Sequence, residues 1–269
     1  MDNTDRLNRL TQAKQWLDAY RPLHPAIAEE LSQRFGVRLT HHSTAIEGNT
    51  LTQSETQIVL EKGITIGGKS LNEHLEVIGH KEALDFVLAL SNEATPIGER
   101  EIREIHSLVM KGQETSDAGA YRSLDVKAAG TEFMYPSHLH VPGQMRDFVT
   151  WLNSEANLHP VLRASHAHLH FVTIHPFRDG NGRVGRLLMN LLLLRAGYPI
   201  AVIPVQQRAE YIDALVNAQQ GSRPDAIYCI VADCVEASLR ETLTLCVNSG
   251  YASKIGVPIP ELQEWLRAC

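Results

Sequence analysis

Cysteine is scarce in this chain. Cys229, Cys234, Cys246 and Cys269 are the only four in 269 residues. They have neither CxxC spacing nor a dense framework, which excludes a disulfide-stapled scaffold and suits a reducing compartment. Long apolar runs are missing too. The longest, Leu187 to Leu194, is interrupted by Asn190 and falls short of the roughly 20 residues that span a bilayer. Asp2, Asp5 and Arg6 precede no apolar h-region, so no signal peptide is expected and the expected location is cytoplasmic, away from membranes. Basic excess is absent as well: 25 Lys+Arg against 31 Asp+Glu give a net charge of -6, which argues against a nonspecific nucleic-acid coat. Partners have to be sought in local sites.

What is present is helical periodicity. Leu7, Leu10, Ala13 and Leu17 recur at helical spacing over 5–19, and a second helix is expected over 24–35 after Pro22 and Pro25. Residues 52–62 read as helical. Ser70 and Glu73 stand in capping-box spacing ahead of Leu75, Ile78, Ala83, Phe86 and Leu90, which predicts a long helix over 70–92. Further helices are expected over 99–111, 143–156, 159–174, 183–196, 206–220 and 225–247, and a short Pro-bearing tail from Gly250. Between Gly119 and Pro142 the helical period is lost and Gly, Pro and β-prone residues accumulate, as in a hairpin or irregular loop. The expected fold class is all-α, with this one excursion.

Chemistry concentrates in His175-Pro176-Phe177-Arg178-Asp179-Gly180-Asn181-Gly182-Arg183-Val184-Gly185-Arg186. Pro176 disfavours helix at His175, so that imidazole is ejected at a helix end, where a side chain with an unperturbed pKa of about 6.5 can take a proton from a hydroxyl. Downstream, Val184, Leu187, Leu188, Leu191 and Leu192 mark a core helix that begins near Gly182. Asp179 to Gly182 is then a loop feeding a helix N-terminus, where inward N–H groups and the helix dipole form an anion site. Arg183 and Arg186 share a face of the first turn, and their forked donors suit a di- or triphosphate. Asp179 is a hard oxygen ligand for a Mg²⁺ bridging those phosphates.

This segment resembles the signature of the Fic family, HPFx(D/E)GNGRxxR, at every specified position. The resemblance implies a helical bundle with a small β-hairpin flap and transfer of AMP from ATP to a Ser, Thr or Tyr hydroxyl of a target protein. It implies that His175 deprotonates the hydroxyl, that Asp179 binds Mg²⁺ (or Mn²⁺), and that Gly180, Asn181 and Gly182 cradle the α- and β-phosphates, Asn181 on the α-phosphate. Arg183 would hold the β-phosphate and Arg186 the γ-phosphate. The target would dock on the flap, about 123–141, by strand addition. Tyr211 and Gln219 would lie near the adenine, with Gln219 where relatives carry Asn. Ser43-Thr44-Ala45-Ile46-Glu47-Gly48-Asn49 matches the family's inhibitory pattern (S/T)xxxE(G/N). A short helix stopping at Gly48 would project Glu47 to form a bidentate pair with Arg186, keeping ATP misaligned. The implied organisation is an N-terminal helical region over 1–95 carrying this segment, a catalytic core over 96–248 and a tail over 249–269. In relatives of this class the glutamate also helps remove AMP, and dimerisation reinforces inhibition.

Two other functions stand beside this one: a catalytically silent nucleotide-binding module, and a transferase using another nucleotide. Two patterns point elsewhere. Gly63-Ile64-Thr65-Ile66-Gly67-Gly68-Lys69-Ser70 fits a P-loop, but a P-loop needs a preceding strand and alternating βα units, whereas the flanks here read as helical. His166, His168 and His170 suggest a metal cluster, but no HExxH or Cys partner accompanies them, so packing or polar-face positions are expected.

Overall fold

Proline and capping residues decide where the helices of this chain begin. A computed structural model describes residues 3–113, 117–127, 133–154, 157–250 and 259–268. Its helices are α1 (Asn3–Asp18), α2 (Pro25–Ile46), α3 (Gln53–Lys62), α4 (Leu71–Ser91), α5 (Glu99–Val109), α6 (Val141–Leu152), α7 (Pro160–Ile174), α8 (Asn181–Arg195), α9 (Arg208–Gln219), α10 (Asp225–Asn248) and α11 (Ile259–Arg267). Pro25 and Pro160 open α2 and α7 at positions where a missing N–H costs nothing. Thr52 and Ser70 each close a capping box, with Glu55 and Glu73. Ser70 thus ends the loop between α3 and α4, so the P-loop-like segment is a helix–helix connection.

α8 is the axis of the bundle. Every residue from Arg183 to Leu191 is buried, as expected of a helix packed on all sides, here by α4, α5 and α7. One apolar cluster runs through the molecule from Leu10 and Leu17 through Phe148, Phe171 and Leu187 to Val235 and Leu262. A smaller one, Leu51, Val59 and Val77, joins α3 to α4.

Three elements differ from expectation. α2 is a single helix of 22 residues, not a helix over 24–35 followed by a separate short helix stopping at Gly48. Its buried stripe Ile27, Leu31, Phe35, Leu39 and Ile46 continues through Gly36, and this packing outweighs the roughly 1 kcal/mol helix cost of a glycine. α11 lies within the expected tail. Leu262 is buried there, Trp265 meets Trp16 edge to face at 5.7 Å, and the Arg240 guanidinium lies 4.0 Å from the Trp265 ring centre. The expected β-hairpin is not seen: residues 117–127 and 133–137 form no strand, and 128–132 lie outside the described residues. Among the described residues there is no strand anywhere, and no helix is long and apolar enough to cross a membrane.

Candidate active site

α7 ends at Ile174 because Pro176 prevents helical geometry at His175. His175 takes φ 52° and ψ 58°, the one non-glycine residue with positive φ among those described. Such strained backbone persists only where its surroundings hold it, and Arg122 does so here. Arg122 Nε donates to the His175 carbonyl at 2.8 Å and its N–H to the Pro176 carbonyl at 2.9 Å, while the guanidinium also reaches the carbonyls of Leu124 and Pro136. The imidazole Nδ1 lies 3.2 Å from the Val172 carbonyl, which can only accept, so Nδ1 carries the proton and Nε2 the free lone pair. Tyr135 covers the ring at a centroid distance of 4.0 Å. Burial pushes the His175 pKa down to about 4, with the Val172 bond opposing and Arg122 adding to the shift. The side chain is a neutral base at physiological pH.

Between His175 and α8 the loop is clamped from both sides. The Asn181 amide accepts from the Phe177 N–H at 2.9 Å and donates to the Phe177 carbonyl at 2.8 Å. Its side chain therefore shapes the loop, and its backbone N–H, in the first turn of α8, is the donor left for an anion. On the other flank His106 Nε2 donates to the Asp179 carbonyl at 3.1 Å and Nδ1 accepts from the Gly119 N–H at 2.9 Å, which fixes the tautomer. Its ring stacks on Phe177 at 3.7 Å. Gly180, at φ 77°, makes the left-handed turn into α8. The Asp179 carboxylate accepts from the Gly180 N–H at 2.6 Å and is 67% exposed.

Both arginines are occupied by acids from the N-terminal helices. Arg186 Nη2 donates to Glu47 Oε1 at 2.7 Å and to the Ser43 carbonyl at 2.7 Å, Nε donates to Ser43 Oγ at 3.0 Å, and Nη1 reaches Tyr211 OH at 3.4 Å. The expected bidentate pair is thus a single charged contact, because Ser43 takes the neighbouring donors. Arg208 Nε, bound to the Ile46 carbonyl at 2.6 Å, caps the end of α2 from which Glu47 projects. A Cβ on Gly182 would lie 2.3 Å from Glu47 Oε1. The carboxylate therefore lies directly against the first turn of α8. Arg183 Nη1 donates to Glu76 Oε1 of α4 at 2.8 Å, and Nη2 lies 3.4 Å from Asp179 Oδ1.

A cavity of about 400 Å³ joins these parts, lined among others by Glu47, Tyr135, His175, Asp179 to Gly182, Arg186, Tyr211 and Gln219. That volume is within the range of small-molecule sites. The Tyr211 ring is buried with its hydroxyl 2.7 Å from His168 Nε2, and Gln219 Nε2 is 3.4 Å from the Val172 carbonyl. His168 supports Tyr211, whereas His166 meets Tyr228 OH at 2.9 Å and His170 lies edge-on to Phe148 at 5.1 Å. The three ring nitrogens do not converge. Asp179 offers a hard, exposed carboxylate at the cavity, and among the described residues no group of three or more His, Cys, Asp or Glu could hold a metal by itself. This fits a Mg²⁺ that takes its other ligands from phosphates and water. Sequence reasoning missed His106, Glu76, Tyr135 and the role of Arg122.

The Fic/DOC family profile matches residues 96–193. A solved structure of Fic-1 from Caenorhabditis elegans superimposes with a TM-score of 0.83 at 33% identity, covering 92% of this chain and 73% of that one. The chain belongs to the Fic/DOC family. Among curated Fic relatives, protein adenylyltransferase fic-1 of Caenorhabditis elegans is 42% identical over 205 residues, 74% of this chain and 40% of that protein. Protein adenylyltransferase Fic of Drosophila virilis is 38% identical over 237 residues, 87% of this chain and 48% of that protein. The chain spans less than half the length of these curated relatives.

Proposed function

We propose that this Fic chain is a protein adenylyltransferase that moves AMP from ATP to a Ser, Thr or Tyr hydroxyl of a target protein and is held inactive by Glu47. The observation that carries the reading is the single cavity in which a neutral His175, the α8 N-terminus and Arg186 meet. The names of the curated relatives support AMP as the transferred group. In the transfer step the target oxygen attacks the α-phosphorus, the bond from that phosphorus to the α–β bridging oxygen breaks, and pyrophosphate leaves. His175 Nε2 takes the hydroxyl proton. The N–H groups of Asn181, Gly182 and Arg183, in the first turn of α8, have no intrahelical carbonyl and bind phosphate oxygens. Arg183 and Arg186 hold the β- and γ-phosphates. A Mg²⁺ (or Mn²⁺) held by Asp179 would neutralise charge on the phosphates. Tyr211 and Gln219 line the end of the cavity assigned to the base.

Glu47 blocks this chemistry in two ways. It takes a donor of Arg186 and it places negative charge where a phosphate would bind. Its position beside His175 also supports a second role, activating water to remove AMP from the target. The boundary between an inhibitory region, 1–95, and a catalytic core from 96 follows the same division of labour. The target docks near 123–141, and the thiols of Cys234 and Cys246, which form no disulfide, suit a reducing, cytoplasmic setting.

The test uses α-labelled ATP with Mg²⁺ and intact-mass analysis on the full chain, as wild type, Glu47→Gly, and Glu47→Gly with His175→Ala. Label or an AMP-sized adduct, on itself or on lysate proteins, is expected with Glu47→Gly alone. A folded Glu47→Gly variant that binds ATP but labels nothing, with any nucleotide, makes the chain a silent binding module.

A further inference from the structure

Glu76 belongs neither to the anion loop nor to the inhibitory segment, yet it touches both. It sits in α4 with its side chain 19% exposed. Its Oε1 accepts from Arg183 Nη1 at 2.8 Å, and its Oε2 accepts from Asn49 Nδ2 at 2.8 Å. Asn49 is buried and follows Glu47 by two positions. Its N–H donates to the Thr44 carbonyl at 3.2 Å, its Oδ1 accepts from the Leu51 N–H at 3.0 Å, and Nδ2 also reaches the Glu73 carbonyl at 3.0 Å. One carboxylate therefore holds an arginine of the anion site with one oxygen and the turn bearing Glu47 with the other.

We propose that Glu76 is a positioning residue that couples the Glu47 turn to Arg183, so that the arginine is oriented and the inhibitory turn is held by the same group. The proposal rests on the nucleotide-transfer reading above. Arg183 is buried, and its Nε has no acceptor. A glutamine at this position offers one neutral oxygen to two donors, so Arg183 loses its charged acceptor, and Asp179 Oδ1 at 3.4 Å becomes the carboxylate that draws the guanidinium away from its setting for a phosphate. Asn49 keeps only neutral partners, and a neutral hydrogen bond is about half as strong as a charged one. The turn then loosens, and with it the contact of Glu47 to Arg186. Removing the Glu76 charge should thus have opposite consequences depending on whether Glu47 is present.

The experiment places Glu76→Gln in the wild-type and Glu47→Gly backgrounds and follows AMP transfer, Mg·ATP affinity by calorimetry, and hydrogen exchange of amides 47–51. With Glu47 present, Glu76→Gln should raise transfer about fivefold or more, the lower end of typical coupling between sites. In the Glu47→Gly background it should raise the KM for ATP by a similar factor and lower transfer. Asn49→Ala, which leaves the Arg183 contact intact, should raise transfer with Glu47 present and leave the ATP KM of Glu47→Gly unchanged. Exchange at 47–51 should quicken in both Glu76→Gln and Asn49→Ala. A merely structural Glu76 would move both backgrounds in one direction, and that result overturns the proposal. Unchanged exchange at 47–51 in folded Glu76→Gln overturns it equally. If Glu47→Gly itself transfers nothing, the function reading fails, and exchange together with ATP affinity still decides the coupling.

Discussion

The end of α2 and the middle of α4 each send a carboxylate to a buried arginine of α8, at nearly the same distance: 2.7 Å for Glu47 to Arg186 and 2.8 Å for Glu76 to Arg183. Their surroundings are unlike. Glu47 is the C-cap residue of α2, with a side chain 37% exposed, and Arg186 retains Ser43 Oγ, the Ser43 carbonyl and Tyr211 OH without it. Glu76 lies mid-helix at 19% exposure, and Arg183 retains only a long contact to Asp179 and one to sulfur. Similar bond lengths therefore hide different removability. Glu47 can leave for water at little cost, as the proposed inhibitory role requires, whereas Glu76 belongs to the frame that keeps a buried cation in place.

Stability measurements would break that comparison most directly. Glu76→Ala leaves Arg183 buried and uncompensated, for which about 3 kcal/mol is expected. Glu47→Ala deprives Arg186 of one acceptor among several, for which about 1 kcal/mol is expected. Urea unfolding of both variants against wild type gives the two numbers. Equal losses, or the reverse order, would mean that Arg183 has compensation beyond the contacts described and that Glu76 is as dispensable as Glu47.

The two regions were not equally legible in the sequence. The loop into α8 was, because Pro176, Gly180 and Gly182 dictate local backbone geometry and Arg183 and Arg186 fall on one face of α8 by helical spacing alone. Glu47 could be paired with Arg186 only through the family pattern, since 139 positions separate them. Glu76 gave no signal, being one acid among several in α4 whose partner is 107 positions away. His106 escaped for a related reason: an imidazole on an amphipathic helix looks like any other until its two nitrogens find backbone partners from separate loops. The helices followed from periodicity and caps. The joining of α2 into one element did not, because tertiary burial of its stripe overrode Gly36.

The next prediction concerns reach. Glu47 is among the charges acting on His175, raising its pKa, and Glu76 is not. The titration of His175, followed by NMR of its ring carbons, should stay in the neutral form from pH 7 down to 5, since burial holds its pKa at about 4. An unperturbed histidine of about 6.5 would be mostly protonated at pH 5.5. The sign for stability follows. Because the unfolded chain takes up the proton first, His175 contributes stability that is present above about 6.5 and lost as the pH falls toward about 4. Glu47→Gly should lower the midpoint further and Glu76→Gln should leave it in place. A midpoint near 6.5 in wild type would mean that the imidazole is hydrated and the Tyr135 cover is open.

The smallest effect expected is that of Ser43, and it separates charge from anchoring in the Glu47–Arg186 contact. Ser43 Oγ accepts from Arg186 Nε at 3.0 Å while the Ser43 carbonyl accepts from Nη2, so Ser43→Ala removes one neutral acceptor and leaves the backbone bond and the Glu47 ion pair. A loss of about 0.5 kcal/mol in stability is expected, with a rise in transfer of no more than a few fold. Ser43→Thr, which keeps a hydroxyl, should restore the wild-type value. If Ser43→Ala instead activates as fully as Glu47→Gly, then the block lies in how α2 holds the guanidinium and not in the negative charge above Gly182. In that event the two acid–arginine pairs would differ in anchoring alone, and the carboxylate of Glu47 would be free for the removal chemistry.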